Sequence, residues 1–147
     1  MFEALSTPRN RTLTFVFLAV CVISGVVAAV IGISDNPPGI LAAFLAVVSF
    51  ILAFVHPWRT AKQYRRLLYA ALIGFVIFTV LHNIFEALAG KAAGAGVLQI
   101  MLQGIGVAAF LLAILICPPA VVVGAVGAMV MFLRNRRQQT PLPDKAA

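Results

Sequence analysis

Residues 97–133 read VLQIMLQGIGVAAFLLAILICPPAVVVGAVGAMVMFL, 37 positions without a charged side chain. As one straight helix this stretch would reach about 55 Å, well beyond the roughly 30 Å of a bilayer's hydrocarbon layer. Pro118-Pro119 divides it, because each ring removes a helix N–H and crowds the carbonyl four residues back. Two readings compete: one long helix kinked at Pro118 and Pro119, or two separate passes. The basic residues decide between them. With four passes and an inside N-terminus, Arg9, Arg11, Arg59, Lys62, Arg65, Arg66, Arg134, Arg136, Arg137 and Lys145 all fall on the cytoplasmic side, leaving only Lys91 outside. Five passes would send the last cluster outside, against the positive-inside tendency. Four passes are predicted.

The other spans follow outward from this one. Residues 13–33 are uncharged and are preceded by Arg9 and Arg11. The basic flank resembles a signal peptide's, but the run is long and further spans follow, so a retained anchor is expected. Ser34-Asp35-Asn36-Pro37-Pro38-Gly39 then forms a tight turn, proline fixing φ and glycine freeing it. Residues 40–56 make a short second span, closed by His56-Pro57-Trp58-Arg59 with an amphipathic ring and a cation at headgroup level. The most basic link of the chain precedes a third span over residues 67–89, and the glycines at 90, 94 and 96 break it from the fourth, 97–133. The expected fold is an all-α membrane protein: a four-transmembrane-helix bundle with a long, Pro-kinked last helix. It forms one domain over 13–133, between a cytoplasmic N-tail (1–12) and a cytoplasmic, disordered C-tail (134–147).

Composition agrees with that placement. Residues of the AVILMFWYC set make up 63% of the chain and charged residues 10%, with a mean hydropathy of +1.07. Water-soluble domains are nearer half apolar and a quarter charged. The net charge of +7 does not point to nucleic acid, because the cations edge apolar runs instead of covering a folded face. Cys21 and Cys117 lie inside such runs and form no disulfide framework. The expected partners are the lipid bilayer and other membrane helices, as a homo-oligomer or in a membrane complex, and the expected location is the cell membrane.

Helices in lipid gain little from hydrophobicity against each other, so close approach of their backbones matters more. Ala28 and Gly32 are spaced one turn apart on the first span, and Ala120, Gly124 and Ala128 form a ladder on the last. These are the candidate packing residues.

Chemistry has one candidate location. His82 and Glu86 are spaced i, i+4 on one helix face, with Asn83 beside them, and ionisable groups in a span are suspects for function. Counted from residue 67, His82 lies about 22 Å along the helix and Glu86 about 28 Å, near the outer headgroups. Asp35, Gln99 and Gln103 should share that level, so a polar pocket for a cation, headgroup, small ligand or relayed proton is allowed. The plainer alternative is a hydrogen-bond cluster that fixes helix ends.

Other chemistries lack their residues. A haem held by His56 and His82 would need ligands about 20 Å apart along the membrane normal. Cys117-Pro118 is similar to the Cys-Pro element of soft-metal-pumping ATPases in those two residues only. Zinc-type ligand sets, phosphate-binding loops and nucleophile triads are missing from the sequence, and no cofactor or metal is expected. Length and span count are similar to those of small multidrug transporters, but their first-span glutamate has no counterpart in residues 13–33, so no family is assigned. The reading is a non-enzymatic subunit or accessory protein, with a small transporter or channel using the His82/Glu86 cluster as the alternative.

Overall fold

The computed structural model of the chain describes residues 7–33 and 36–139. It is all-helical, and four of its helices are long and apolar enough to cross a membrane: Pro8–Ile31, Pro37–Val55, Ala61–Lys91 and the continuous stretch Val97–Arg137. We label them α1 (Pro8–Ile31), α2 (Pro37–Val55) and α3 (Ala61–Lys91), followed by α4 (Val97–Leu111), a π-helical turn (Leu112–Ile116) and α5 (Cys117–Gln139).

Several helices outrun the apolar segments that announce them. Thr7 is extended and its side chain accepts from the Asn10 N–H at 3.2 Å, while Pro8 supplies a preset φ at the first helical position. Residues 8–12, expected in the tail, are therefore helical. Thr60 and Gln63 do the same for α3: the Gln63 Oε1 accepts from the Arg59 and Thr60 N–H groups, each at 3.3 Å. At the other end of the chain, residues 134–139 are helical where composition predicts a disordered tail. Arg136 and Arg137 occupy that last turn, where cations complement the partial negative charge of unpaired carbonyls. The rest of that tail, residues 140–147, lies outside the described residues.

Gly32 is not a helical rung. It ends α1 at φ 85°, its N–H bonded to the Ala28 carbonyl at 2.9 Å. Its carbonyl oxygen faces Gly39 on α2 so closely that a Cβ there would overlap it. Glycine is required at position 39 by this approach, so the turn expected from Pro37-Pro38-Gly39 is set as much by contact as by φ.

The prolines of the last stretch produce a widened turn, and helix continues on both sides. The Cys117 N–H donates to the Leu112 carbonyl, five residues back. Pro118 and Pro119 have no N–H to continue the α pattern, and a π turn just before them relieves their crowding of the preceding carbonyls.

The elements pair as two antiparallel hairpins. α1 packs on α2 alone among the described residues, and α3 packs along α4 and α5. The hairpins meet where α2 touches α5 and the π turn. On α1 the buried residues are Thr14, Ser24 and Ala28, and the Thr14 hydroxyl donates to the Ala53 carbonyl of α2 at 3.3 Å. On the α4–α5 stretch Pro119 and Val123 are buried beside a run of six smaller or similar residues, Gly106, Ala109, Ala113, Cys117, Ala120 and Gly124. The steps of three and four residues among those six make a single helical stripe of small side chains. A Cβ on Gly124 would stand 2.8 Å from the Leu68 nitrogen, and one on Gly127 would enter the Tyr64 ring. Ala128 is half-buried against the cluster of Val55, Tyr64 and Val123 where α2, α3 and α5 converge. Tyr64 anchors this end, its hydroxyl donating to the Val55 carbonyl at 3.1 Å and its ring edge-on to Trp58 at 5.3 Å.

The burial pattern inverts that of a water-soluble protein. Apart from Val55, Tyr64 and Val123, the buried residues are of small types such as alanine, glycine, serine and threonine, while dozens of Leu, Ile, Val and Phe side chains face outward. In water, large aliphatic side chains fill the interior. Here they coat the outside, and the backbones come together over small ones.

Candidate functional site

The third helix carries His82 one turn before Glu86, on the side that meets α4. Gly106 allows the approach: a Cβ at that position would stand 3.5 Å from the Phe85 Cβ and 3.8 Å from the His82 carbonyl. With the helices this close, the His82 Nδ1 reaches the Gly106 carbonyl oxygen at 3.0 Å. On its other side the His82 Nε2 lies 3.5 Å from the Glu86 Oε2. The imidazole also packs at 5.1 Å against the Phe110 ring of α4.

A carbonyl oxygen only accepts, so the contact with Gly106 is one that an Nδ1–H donor makes. The contact with Glu86 is half-sheltered on the histidine side (25% exposed) and open on the glutamate side (73%).

The remaining members of the expected cluster turn elsewhere. The Asn83 amide donates to the Thr79 carbonyl of its own helix at 2.7 Å. The Gln99 Oε1 accepts from the Gly94 N–H at 3.1 Å and closes the turn into α4. Gln103 lies exposed one turn further on, and Asp35 falls outside the described residues. Asn36, the next residue, bonds back to the Ile31 carbonyl at 3.1 Å. His82 and Glu86 are brought together, whereas Asn83 and Gln99 bond to backbone close by in the chain.

A cavity of about 230 Å³ lies beside the junction, between the two hairpins. Its walls are aliphatic and aromatic, with Ile33, Ile40 and Phe44 on one side and Phe110 and Ile114 on the other. Phe110 separates it from His82, so the polar pair is not one of its walls.

His56 stands at the other end of the fold. Its Nδ1 is 3.2 Å from the carbonyls of both Leu52 and Ala53, and its ring is 5.9 Å from Phe17. The Nε2 is buried with no hydrogen-bond partner among the described residues. From Ala61, beside His56, the helix climbs about 31 Å to His82, so the two histidines cannot share one iron. Among the described residues no group of three His, Cys, Asp or Glu side chains gathers to hold a metal. The α1–α2 bond from Thr14 to Ala53 escaped sequence reading because threonine in an apolar run carries no signal of its partner.

No family model, curated protein or solved structure matches this chain.

Proposed function

We propose that this chain is a multi-pass protein of the cell membrane with four transmembrane helices, both termini cytoplasmic. It acts as a non-enzymatic subunit or accessory protein that packs against other membrane helices. The observation that carries this reading is the placement of α1. It touches α2 along one narrow stripe and leaves the rest of its apolar circumference uncovered, Val22, Ile23, Val26 and Val30 all being more than half exposed. Lipid or a neighbouring helix is the environment such a surface suits. The proposed orientation follows from the cations, since Arg9, Arg11, Arg59, Lys62, Arg65, Arg66, Arg134, Arg136 and Arg137 belong to one end of the bundle and Lys91 to the other.

Purification in mild detergent tests the proposal. A second membrane polypeptide is expected to co-elute in fixed ratio. Recovery of the chain only as a monomer or a monodisperse homo-oligomer would overturn the subunit reading. A second reading, a small transporter or channel, is favoured by the contact of His82 with Glu86, two ionisable side chains 3.5 Å apart near one end of α3. That reading requires Glu86→Gln to abolish a proton-coupled flux in vesicles.

A further inference from the structure

We infer that the cationic end of α5 is a binding site for an anionic phospholipid, with its phosphate held by Arg134 and Arg137. Those two side chains share one open groove with Val130 and Leu133. The four positions lie on a single helical strip, apolar toward the bundle and cationic toward the chain's end. All four residues are exposed. Arg136 points away, its guanidinium stacked over the Phe132 ring at 4.8 Å.

α5 stays uncharged through Leu133 and turns cationic at Arg134, so the groove spans an apolar-to-charged boundary. Gly127 sits against Tyr64 in the first turns of α3, so α5 runs past the α2–α3 turn, and Arg134 and Arg137 stand about 10–15 Å beyond Gly127. A chain lying along Val130 and Leu133 would place its phosphate between the two guanidiniums, which present paired donors to phosphate oxygens.

Charge at this end favours an anion over any other occupant. Nine of the ten described basic residues belong to that end, and the single described acid, Glu86, is at the far end. An anionic lipid offsets this like-charge crowding, whereas a zwitterionic one does not. The inference rests on the proposed membrane location.

The test uses the full chain in detergent, titrated with dioleoyl phosphatidylglycerol or dioleoyl phosphatidylcholine, with bound lipid counted by native mass spectrometry. Tighter retention of the glycerol lipid is expected. Arg134→Gln/Arg137→Gln should weaken that retention by about 25-fold, two guanidiniums each contributing roughly fivefold. Arg134→Lys/Arg137→Lys should keep most of it, and Arg65→Gln/Arg66→Gln should leave the groove's affinity nearly unchanged. Equal retention of both lipids would overturn the inference, as would loss on Arg65→Gln/Arg66→Gln equal to that on the α5 pair. So would displacement by millimolar inorganic phosphate, which has no acyl chain for Val130 and Leu133. Alkaline carbonate extraction of cell membranes separates the two levels: release of the chain overturns the membrane reading itself, whereas retention without lipid preference overturns only this site.

Discussion

The Nδ1 of His82 lies 3.0 Å from the carbonyl oxygen of Gly106, so α3 is tied to α4 through an acceptor that no side-chain substitution on α4 can delete. His82→Ala removes the donor and the ring packed on Phe110. The expected loss is about 1 kcal/mol, the usual scale for a side-chain hydrogen bond between membrane helices. Glu86→Gln should cost under about 0.5 kcal/mol, because the carboxylate is mostly exposed and a glutamine amide can donate to Nε2 in its place. Unfolding in mixed detergent measures both. Equal losses for the two variants would show that the ion pair, and not the carbonyl bond, holds the junction.

Two glycines in the first hairpin should respond in opposite directions. Gly39→Ala drives a methyl group into the Gly32 carbonyl, and overpacking against backbone of this kind costs about 1–3 kcal/mol or more. Gly25→Ala meets nothing within 4 Å and replaces the poorest ordinary helix former with the best, so it should stabilise the chain by up to about 1 kcal/mol. Thermal aggregation midpoints of the two purified variants, compared with the parent, give the ordering.

Tyr64 and Gly127 form a coupled pair. Gly127→Ala should destabilise by about 1–3 kcal/mol because its Cβ enters the tyrosine ring. Tyr64→Phe should lose about 1 kcal/mol with the bond to Val55. Tyr64→Ala opens space for the added methyl, so a double-mutant cycle with Gly127→Ala should return a favourable coupling of about 1 kcal/mol or more. Strict additivity would mean the two side chains do not meet.

The proposed topology makes a direct labelling prediction. Single cysteines introduced as Thr140→Cys and Lys91→Cys, in a chain with Cys21 and Cys117 replaced by alanine, should differ in sidedness. A membrane-impermeant maleimide applied to intact cells should label position 91 and spare position 140. Labelling at 140 from outside would overturn the four-pass orientation.

The four helices were legible because hydropathy over 18 or more residues is a strong signal, and the disturbance at Pro118-Pro119 because proline lacks a donor. Helix ends were not. Thr7, Pro8 and the Thr60–Gln63 pair start helices in polar sequence, where capping bonds outweigh composition. Pairing between helices was also hidden, since a lipid-facing valine and a packed one read alike; only the small residues at 120, 124 and 128 hinted at the α3 contact face. The expected polar convergence failed for a physical reason. Asn83 and Gln99 find backbone partners four and five residues away, and such local bonds require far less ordering of the chain than distant ones.

The pairing of α1 with α2 and of α3 with α4–α5 has a consequence for biosynthesis. Chains emerge N-terminus first, and folding units complete in that order. The first hairpin contains both sides of its own seam, including the Thr14 bond to Ala53 and the Gly32–Gly39 contact. It can therefore close before residue 61 leaves the ribosome. The second hairpin arrives with its small-residue stripe already matched to α3, leaving only the contact of α2 with α5 to be made last. Assembly reduces to docking two finished halves.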